Sequence, residues 1–316
     1  MTWPDASRSG TSSDPYSALA DRVAADVIAG YSTSFSLATR LLAAPVRREI
    51  RNLYAVVRIA DEIVDGAASD AGASPDEVRE ILDDYEARVL TATGDGGTAA
   101  PGDGGATATG RTAAPFFTDP ILHAWAGTAA RCGINPEHIV AFFASMRADL
   151  EVTVHDADSL ASYIHGSAEV IGLMCLDIFL AYEDTSADRA WLADGAVALG
   201  RAFQMVNFLR DLGADQDGLG RIYLPELTDG PLTGPTRDRI LDDIEADLDT
   251  ARERIAHLPG GARAGVAAAV ALYAELAAEI RASDPDTLDT TRIRVSGPRK
   301  ALVTAKAVAR VRRRSS

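Results

Sequence analysis

The sequence predicts an all-α protein. Apolar residues recur at steps of three and four along most of its length, period-two alternation is rare, and aromatics make up only 6%. Helical spacing runs through residues 20–28, 46–64, 76–90, 120–131, 136–154, 159–181, 188–212, 237–255, 262–281 and 298–312. Ser74-Pro75-Asp76-Glu77 and Asn135-Pro136-Glu137 are start signals for the third and fifth of these. In each a capping side chain precedes a proline whose missing N–H would have had no intrahelical partner. Asp158-Ser159 marks a further start. Residues 1–15 are polar and read as a flexible N-terminal tail. Residues 91–115 are mostly Gly, Ala and Thr. They carry too little apolar surface to offset chain entropy and read as a flexible loop. That loop interrupts a single domain, 16–297, because the acidic motifs on its two sides need each other.

The 316 residues are 47% hydrophobic and 24% charged, enough for a core without metal or disulfide. The formal net charge of −15 excludes a general nucleic-acid binder, which needs a basic footprint. Cys132 and Cys175 form no Cys/His cluster, so zinc is not expected. The apolar runs at 170–176 and 265–274 fall short of the ~20 residues that span a bilayer. A cytoplasmic protein is expected. Residues 298–316 form a basic helix or tail with seven positive charges and no acid. They either pair with the acidic body or touch anionic lipid at the inner face of a membrane.

Five Asp-x-x-x-Asp pairs occur, so spacing alone decides little. Residues four apart share a helix face, where two carboxylates repel. Asp184/Asp188 lie in loop composition, and Asp238/Asp242 and Asp243/Asp247 lie on a charged face that water can solvate. Asp61/Asp65 differ: with Tyr54 and Arg58 they form a polar stripe on an apolar helix. Gln204, Asn207, Asp211 and Asp215 form a second stripe. Buried polar groups must be paired or bind a metal, so two such stripes predict a shared cleft between helices. Asp oxygens and an Asn carbonyl are hard ligands that suit Mg²⁺, with Mn²⁺ as a substitute. Arg58 and Arg210 beside them suit phosphate oxygens. Acids and arginines on apolar helices fit a diphosphate with a long hydrophobic tail.

At these residues the sequence resembles the squalene/phytoene synthases, which join two prenyl diphosphates head to head. Tyr31-Ser-Thr-Ser-Phe35 is similar to the family's opening Ser-x-Ser-Phe element. The stretches Tyr54–Asp65 and Gln204–Asp215 resemble its two aspartate-rich motifs. Ser145–Leu150 and Gly166–Gly172 are similar to its central helices. Gly220-Arg-Ile-Tyr-Leu-Pro225 and Arg292-Ile-Arg-Val-Ser296 resemble its later signatures. The resemblance implies an isoprenoid-synthase-type helical bundle with a central active-site cavity. It implies metal ligation by Asp61, Asp65, Asn207, Asp211 and Asp215, and diphosphate binding by Ser34, Arg58, Arg210, Tyr273 and Arg292. Tyr54 and Gln204 would line the reaction centre.

The wording of the motifs is most like bacterial phytoene synthases. These join two geranylgeranyl diphosphates through a cyclopropyl diphosphate, without NADPH. The alternative is a squalene or dehydrosqualene synthase using two farnesyl diphosphates. One departure stands out: many bacterial members carry a basic residue where this chain has Thr33. A head-to-tail elongase would show a denser Asp-Asp-x-x-Asp in both motifs. A non-catalytic binding protein would have lost one stripe, and both are complete here.

Overall fold

The computed structural model describes residues 14–94, 115–219, 221–228 and 230–314, without the side chains of 214–219 and 314. Most of the expected loop and tail therefore lie outside the described residues. Fourteen α-helices follow one another among those described. They are α1 (Pro15–Tyr31), α2 (Thr33–Thr39), α3 (Ala44–Val64), α4 (Ala67–Asp70), α5 (Pro75–Thr93), α6 (Pro120–Cys132) and α7 (Pro136–Glu151). Next come α8 (Ala157–Ile164), α9 (Val170–Leu180), α10 (Arg189–Leu219), α11 (Gly234–Arg254), α12 (Gly260–Ala282), α13 (Pro285–Leu288) and α14 (Gly297–Arg314). The only β feature among the described residues is a parallel bridge between Val154 and Ile222.

The end signals act locally. Asp14 accepts from the backbone N–H groups of Tyr16 and Ser17 at 2.9 and 3.1 Å, starting α1 at Pro15, inside the expected tail. Ser74 and Glu77 form a reciprocal capping box on α5, and Asn135 caps α7. Gly94 closes α5 at φ 103°, a left-handed conformation open to glycine, so residues 91–93 are helix rather than loop. Three boundaries differ from the sequence expectation. Asp156, not Asp158, caps α8. The fifth helix stops at Glu151, because Thr153 and His155 turn to pair with Ile222. The segment 159–181 stays helical but carries a π turn at His165–Glu169.

Two buried clusters make the core. One gathers α1, α3, α5, α6, α7 and α9 around Trp125, Phe142 and Phe143; the other gathers α8, α10, α11 and α12 around Leu209, Leu241 and Ile280. The halves meet where α9, with the π turn before it, crosses α10 almost backbone to backbone. A Cβ on Gly172 would lie 2.3 Å from the Ala196 carbonyl oxygen, and one on Gly200 2.4 Å from that of Ala168. A cavity of about 310 Å³ lies between the halves, walled by α2, α3, α9, α10 and α12. Segments 157–180 and 260–282 are, against expectation, long and apolar enough to cross a membrane. Here each is at least half buried, and α12 is apolar because other helices cover it.

Buried ion pairs fasten the elements. Glu49 of α3 has no exposed side-chain surface. It takes both prongs of Arg131 at 3.0 and 2.8 Å, Thr128 Oγ1 at 2.5 Å and the Tyr182 hydroxyl. Burial pushes its carboxyl up, but Arg131, Thr128, Tyr182 and Arg48 more than offset this and hold it at about 2. Asp247, expected on a solvated face, is instead clamped by Arg201 Nε and Nη2 at 2.7 and 2.6 Å, tying α11 to α10.

Candidate active site

Along α3, Tyr54, Arg58 and Asp61 share one face, and Asp65 caps the helix just past Val64. Arg58 binds Asp61 and Glu62 and lies under the Tyr31 ring, 4.3 Å from its centroid. Burial pushes the Asp61 carboxyl up to about 7, helped by Asp65 and opposed by Arg58. Asp65 reaches Arg221 Nη1 at 3.3 Å. That guanidinium also stands 3.8 Å from the buried Asp149 of α7 and donates to the Tyr223 hydroxyl at 3.3 Å. Asp149 accepts from the hydroxyls of Tyr163 and Tyr223 at 2.9 and 2.8 Å. Burial raises Asp149 to about 6, against Arg221 and the two tyrosines.

The second stripe lies on α10. Gln204 and Asn207 open into the cavity opposite Tyr54. Asn207 Oδ1 is buried without a hydrogen-bond partner. Asp211 is held by Arg210 Nε at 2.9 Å and by Arg292 Nε at 2.7 Å, so the C-terminal signature closes on the second motif. α10 continues to Leu219, past the expected end at 212, which keeps Asp215 on the helix; its side chain lies outside the described residues. Tyr273 is 6% exposed and stacks on Phe203 with centroids 3.7 Å apart. Burial pushes its phenol up to about 12, with Arg210 and Asn207 opposing.

Ser34 sits half-buried on α2, where Phe35 packs against Tyr54, Phe203 and Tyr273. The adjoining Thr33 accepts a hydrogen bond from Lys300 Nζ of α14 at 2.9 Å. A cation thus reaches the opening motif from the other end of the chain. Sequence reasoning missed Lys300, because a residue among seven tail positives carries no local mark. It also gave no role to Arg221, Asp149, Tyr163 and Tyr223, which form the layer behind Asp65. The one signal was the charge of Asp149 and Arg221 inside stretches that the family motifs already included.

Among the described residues no three Asp, Glu, His or Cys side chains are arranged to hold a metal ion by themselves. The carboxylates instead form separate groups at the ends of α3 and α10. This donor set fits a divalent cation of the Mg²⁺ kind, which takes few protein carboxylates and completes its shell with water and phosphate oxygens. The unpartnered Asn207 oxygen and the crowded Asp61/Asp65 pair are the observations that favour such an ion. Stepping back along α3 from Asp61 to Ile50 covers about 16 Å. Asp61 stands beyond the cavity, whose lining begins at polar Tyr54, Gln204 and Asn207 and becomes mostly apolar at Leu42, Ile50 and Val266. A charged mouth over a greasy shaft suits an anionic head on a hydrocarbon chain.

This chain belongs to the squalene/phytoene synthase family, whose profile matches residues 28–228 and 233–299. Membership makes it a prenyltransferase-type enzyme for prenyl diphosphates. It is 30% identical over 301 residues to phytoene synthase 2, chloroplastic, of Solanum lycopersicum, covering 90% of this chain and 88% of that one. It is 29% identical over 273 residues to the 15-cis-phytoene synthase of a Paracoccus strain, covering 81% and 80%. A dehydrosqualene synthase crystal structure superposes with TM-score 0.72 at 20% identity, covering 94% of this chain and 98% of that one. A squalene synthase from Alicyclobacillus acidocaldarius gives 0.66 at 20% identity, covering 84% and 94%. These two show the isoprenoid-synthase fold.

Proposed function

We propose that the protein is a phytoene synthase that condenses two geranylgeranyl diphosphates head to head. The carrying observation is an apolar cavity that ends at Tyr54, Gln204 and Asn207, with the arginine-paired carboxylates Asp61 and Asp211 farther along the same two helices. Relatives named phytoene synthases support the choice of product. Asp61, Asp65, Asn207, Asp211 and Asp215 would hold Mg²⁺, which when bound would neutralise diphosphate as it leaves. Arg58, Arg210, Arg292 and Lys300 would bind the diphosphate oxygens, with Ser34 beside them. Tyr273 supports this end by packing under Asn207.

Loss of diphosphate from one substrate gives an allylic cation. Attack by the double bond of the second and loss of a proton close a cyclopropane. Loss of the second diphosphate opens that ring, and a final proton loss gives the conjugated triene. Phe35, Phe203 and Tyr273 exclude water from the cations. Tyr54 and Gln204 line the point where the chains meet, and the Tyr54 hydroxyl, kept protonated by burial, is the polar group that faces the cation. No step consumes hydride, so no NADPH is required. The enzyme works in the cytoplasm, and its basic C-terminal helix rests on the inner face of the membrane that receives the product.

Diphosphate release from geranylgeranyl diphosphate tests the site assignment. It should require Mg²⁺, stop with a chelator and resume on adding Mg²⁺ or Mn²⁺. Release that persists in chelator would remove the metal from the reading.

A further inference from the structure

The corner between α2 and α3 carries three arginines, and the acid beside it, Glu183, accepts from the Gly261 backbone N–H at 3.2 Å rather than pairing with them. Arg40 caps the end of α2, and Arg47 and Arg51 lie one turn apart on α3. Arg47 Nη1 donates to the Arg40 carbonyl at 3.3 Å, folding the side chain over the corner. Among the described residues none of the three forms an ion pair, in a chain with 46 acidic residues. Arg51 Nε is buried without a hydrogen-bond partner. Burial lowers the Arg51 pKa, and the only charges acting on it are Arg47 and Arg40, which lower it further. Three cations held together unpaired are a cost that an anion relieves.

The corner's place in the fold narrows the anion. Thr39 and Ile50, the neighbours of Arg40 and Arg51 in sequence, line the apolar end of the cavity, away from the aspartates. A second basic element reaches the same end. The first turn of α14 is fixed by Arg299 to Glu275 of α12, with Nε–Oε1 2.5 Å. From Gly261 to Ala277 no residue of α12 is exposed, whereas Ala278 and Glu279 are. So α14 runs back along α12 toward Gly261, whose Cβ position is 3.0 Å from Ala43. Fifteen residues of either helix span about 22 Å, so α14 extends along α12 as far as the level of the Arg40–Arg47 corner. Leu302, Lys306, Arg310 and Arg313 form one exposed stripe on it.

We propose that the α2–α3 corner, with Arg40, Arg47 and Arg51, is the face that docks the protein on an anionic bilayer. The cations spread across a corner and a second helix, a span suited to a surface of phosphate headgroups rather than to one free phosphate. Leu302, 45% exposed, adds an apolar contact to the basic stripe. Docked this way, the tail end of the cavity faces lipid while the aspartates face water. The purpose of that orientation, delivery of a hydrocarbon, rests on the proposed function; the docking itself does not.

The test is co-sedimentation of the whole protein with phosphatidylcholine vesicles, with and without about one third phosphatidylglycerol. Near an anionic surface each basic residue contributes about 1 kcal/mol, a factor of about five. The Arg40→Gln/Arg47→Gln variant should bind the anionic vesicles about 25-fold more weakly, with an unchanged circular dichroism spectrum. Diphosphate release in detergent should be unaffected, and it reports separately on the proposed function. Three results overturn the proposal: no preference of the wild type for anionic vesicles, equal binding by the double variant, or loss of binding only in Lys306→Gln/Arg310→Gln/Arg313→Gln. A fourth would too: displacement from vesicles by millimolar inorganic phosphate at constant ionic strength would assign the corner to a free anion instead.

Discussion

Lys300 brings a cation to the opening motif, where this chain has Thr33. Its ammonium lies 2.9 Å from Thr33 Oγ1, at the foot of α2 and beside the second aspartate motif. Burial lowers the Lys300 pKa first, and Arg210 and Arg294 lower it further, so three cations converge there. Such a group favours an anion, and the proposed function supplies diphosphate as that anion. A hydrogen bond to a charged group contributes about 1.5–3 kcal/mol, or about 10- to 150-fold in an equilibrium or rate. Lys300→Gln should therefore lower kcat/KM for diphosphate release by about that factor, with little change in melting temperature. The double variant Thr33→Lys/Lys300→Gln returns an ammonium to the same spot and should recover most of the loss. Steady-state diphosphate release by the four proteins of this cycle is the assay. A Lys300→Gln enzyme within about threefold of wild type would refute this role for Lys300, as would a double variant no better than the single.

Three further predictions follow from the same geometry. Asp61→Asn should abolish turnover yet stabilise the fold at pH 8. The raised Asp61 pKa means that ionisation costs native stability, fully above about pH 7, so the variant's advantage should shrink as pH falls from 7 towards 4 in urea titrations. Glu49→Gln should cost about 3 kcal/mol at neutral pH, because it leaves Arg131 and Arg48 facing a neutral partner. The wild-type carboxyl is held low, so that gap should be complete above about pH 4.5 and close as pH falls towards about 2. Gly200→Ala places a Cβ 2.4 Å from the Ala168 carbonyl oxygen, which backbone cannot yield cheaply. It should cost about 1–3 kcal/mol and lower the melting temperature, and an unshifted transition would contradict the close α9–α10 crossing.

The long helices were legible because each buries one face for several turns, so apolar spacing repeats often enough to read. The short helices α2, α4 and α13 were not, since one or two turns leave no period to detect. The fifth helix was overrun because Val152 and Val154 continue its apolar pattern. Only a tertiary partner, Ile222, shows that the chain there is extended. The stripes Tyr54/Arg58/Asp61 and Gln204/Asn207/Asp211 were legible as polar groups on apolar helices, and the fold sets Tyr54, Gln204 and Asn207 around one cavity. What sequence could not give were contacts between distant segments. Arg292 on Asp211, Arg221 on Asp65 and Lys300 on Thr33 join residues 81, 156 and 267 positions apart. Asp247 was misread for the same reason: its partner Arg201 belongs to another helix.

Product identity is the most direct test of the central claim. The purified protein would be incubated with Mg²⁺ and geranylgeranyl diphosphate, or with farnesyl diphosphate, each with and without NADPH, and the extracted hydrocarbon weighed by mass spectrometry. The account predicts a forty-carbon triene from geranylgeranyl diphosphate, formed equally well without NADPH. A thirty-carbon product from farnesyl diphosphate alone would contradict the substrate assignment, and no hydrocarbon from either would contradict the enzyme.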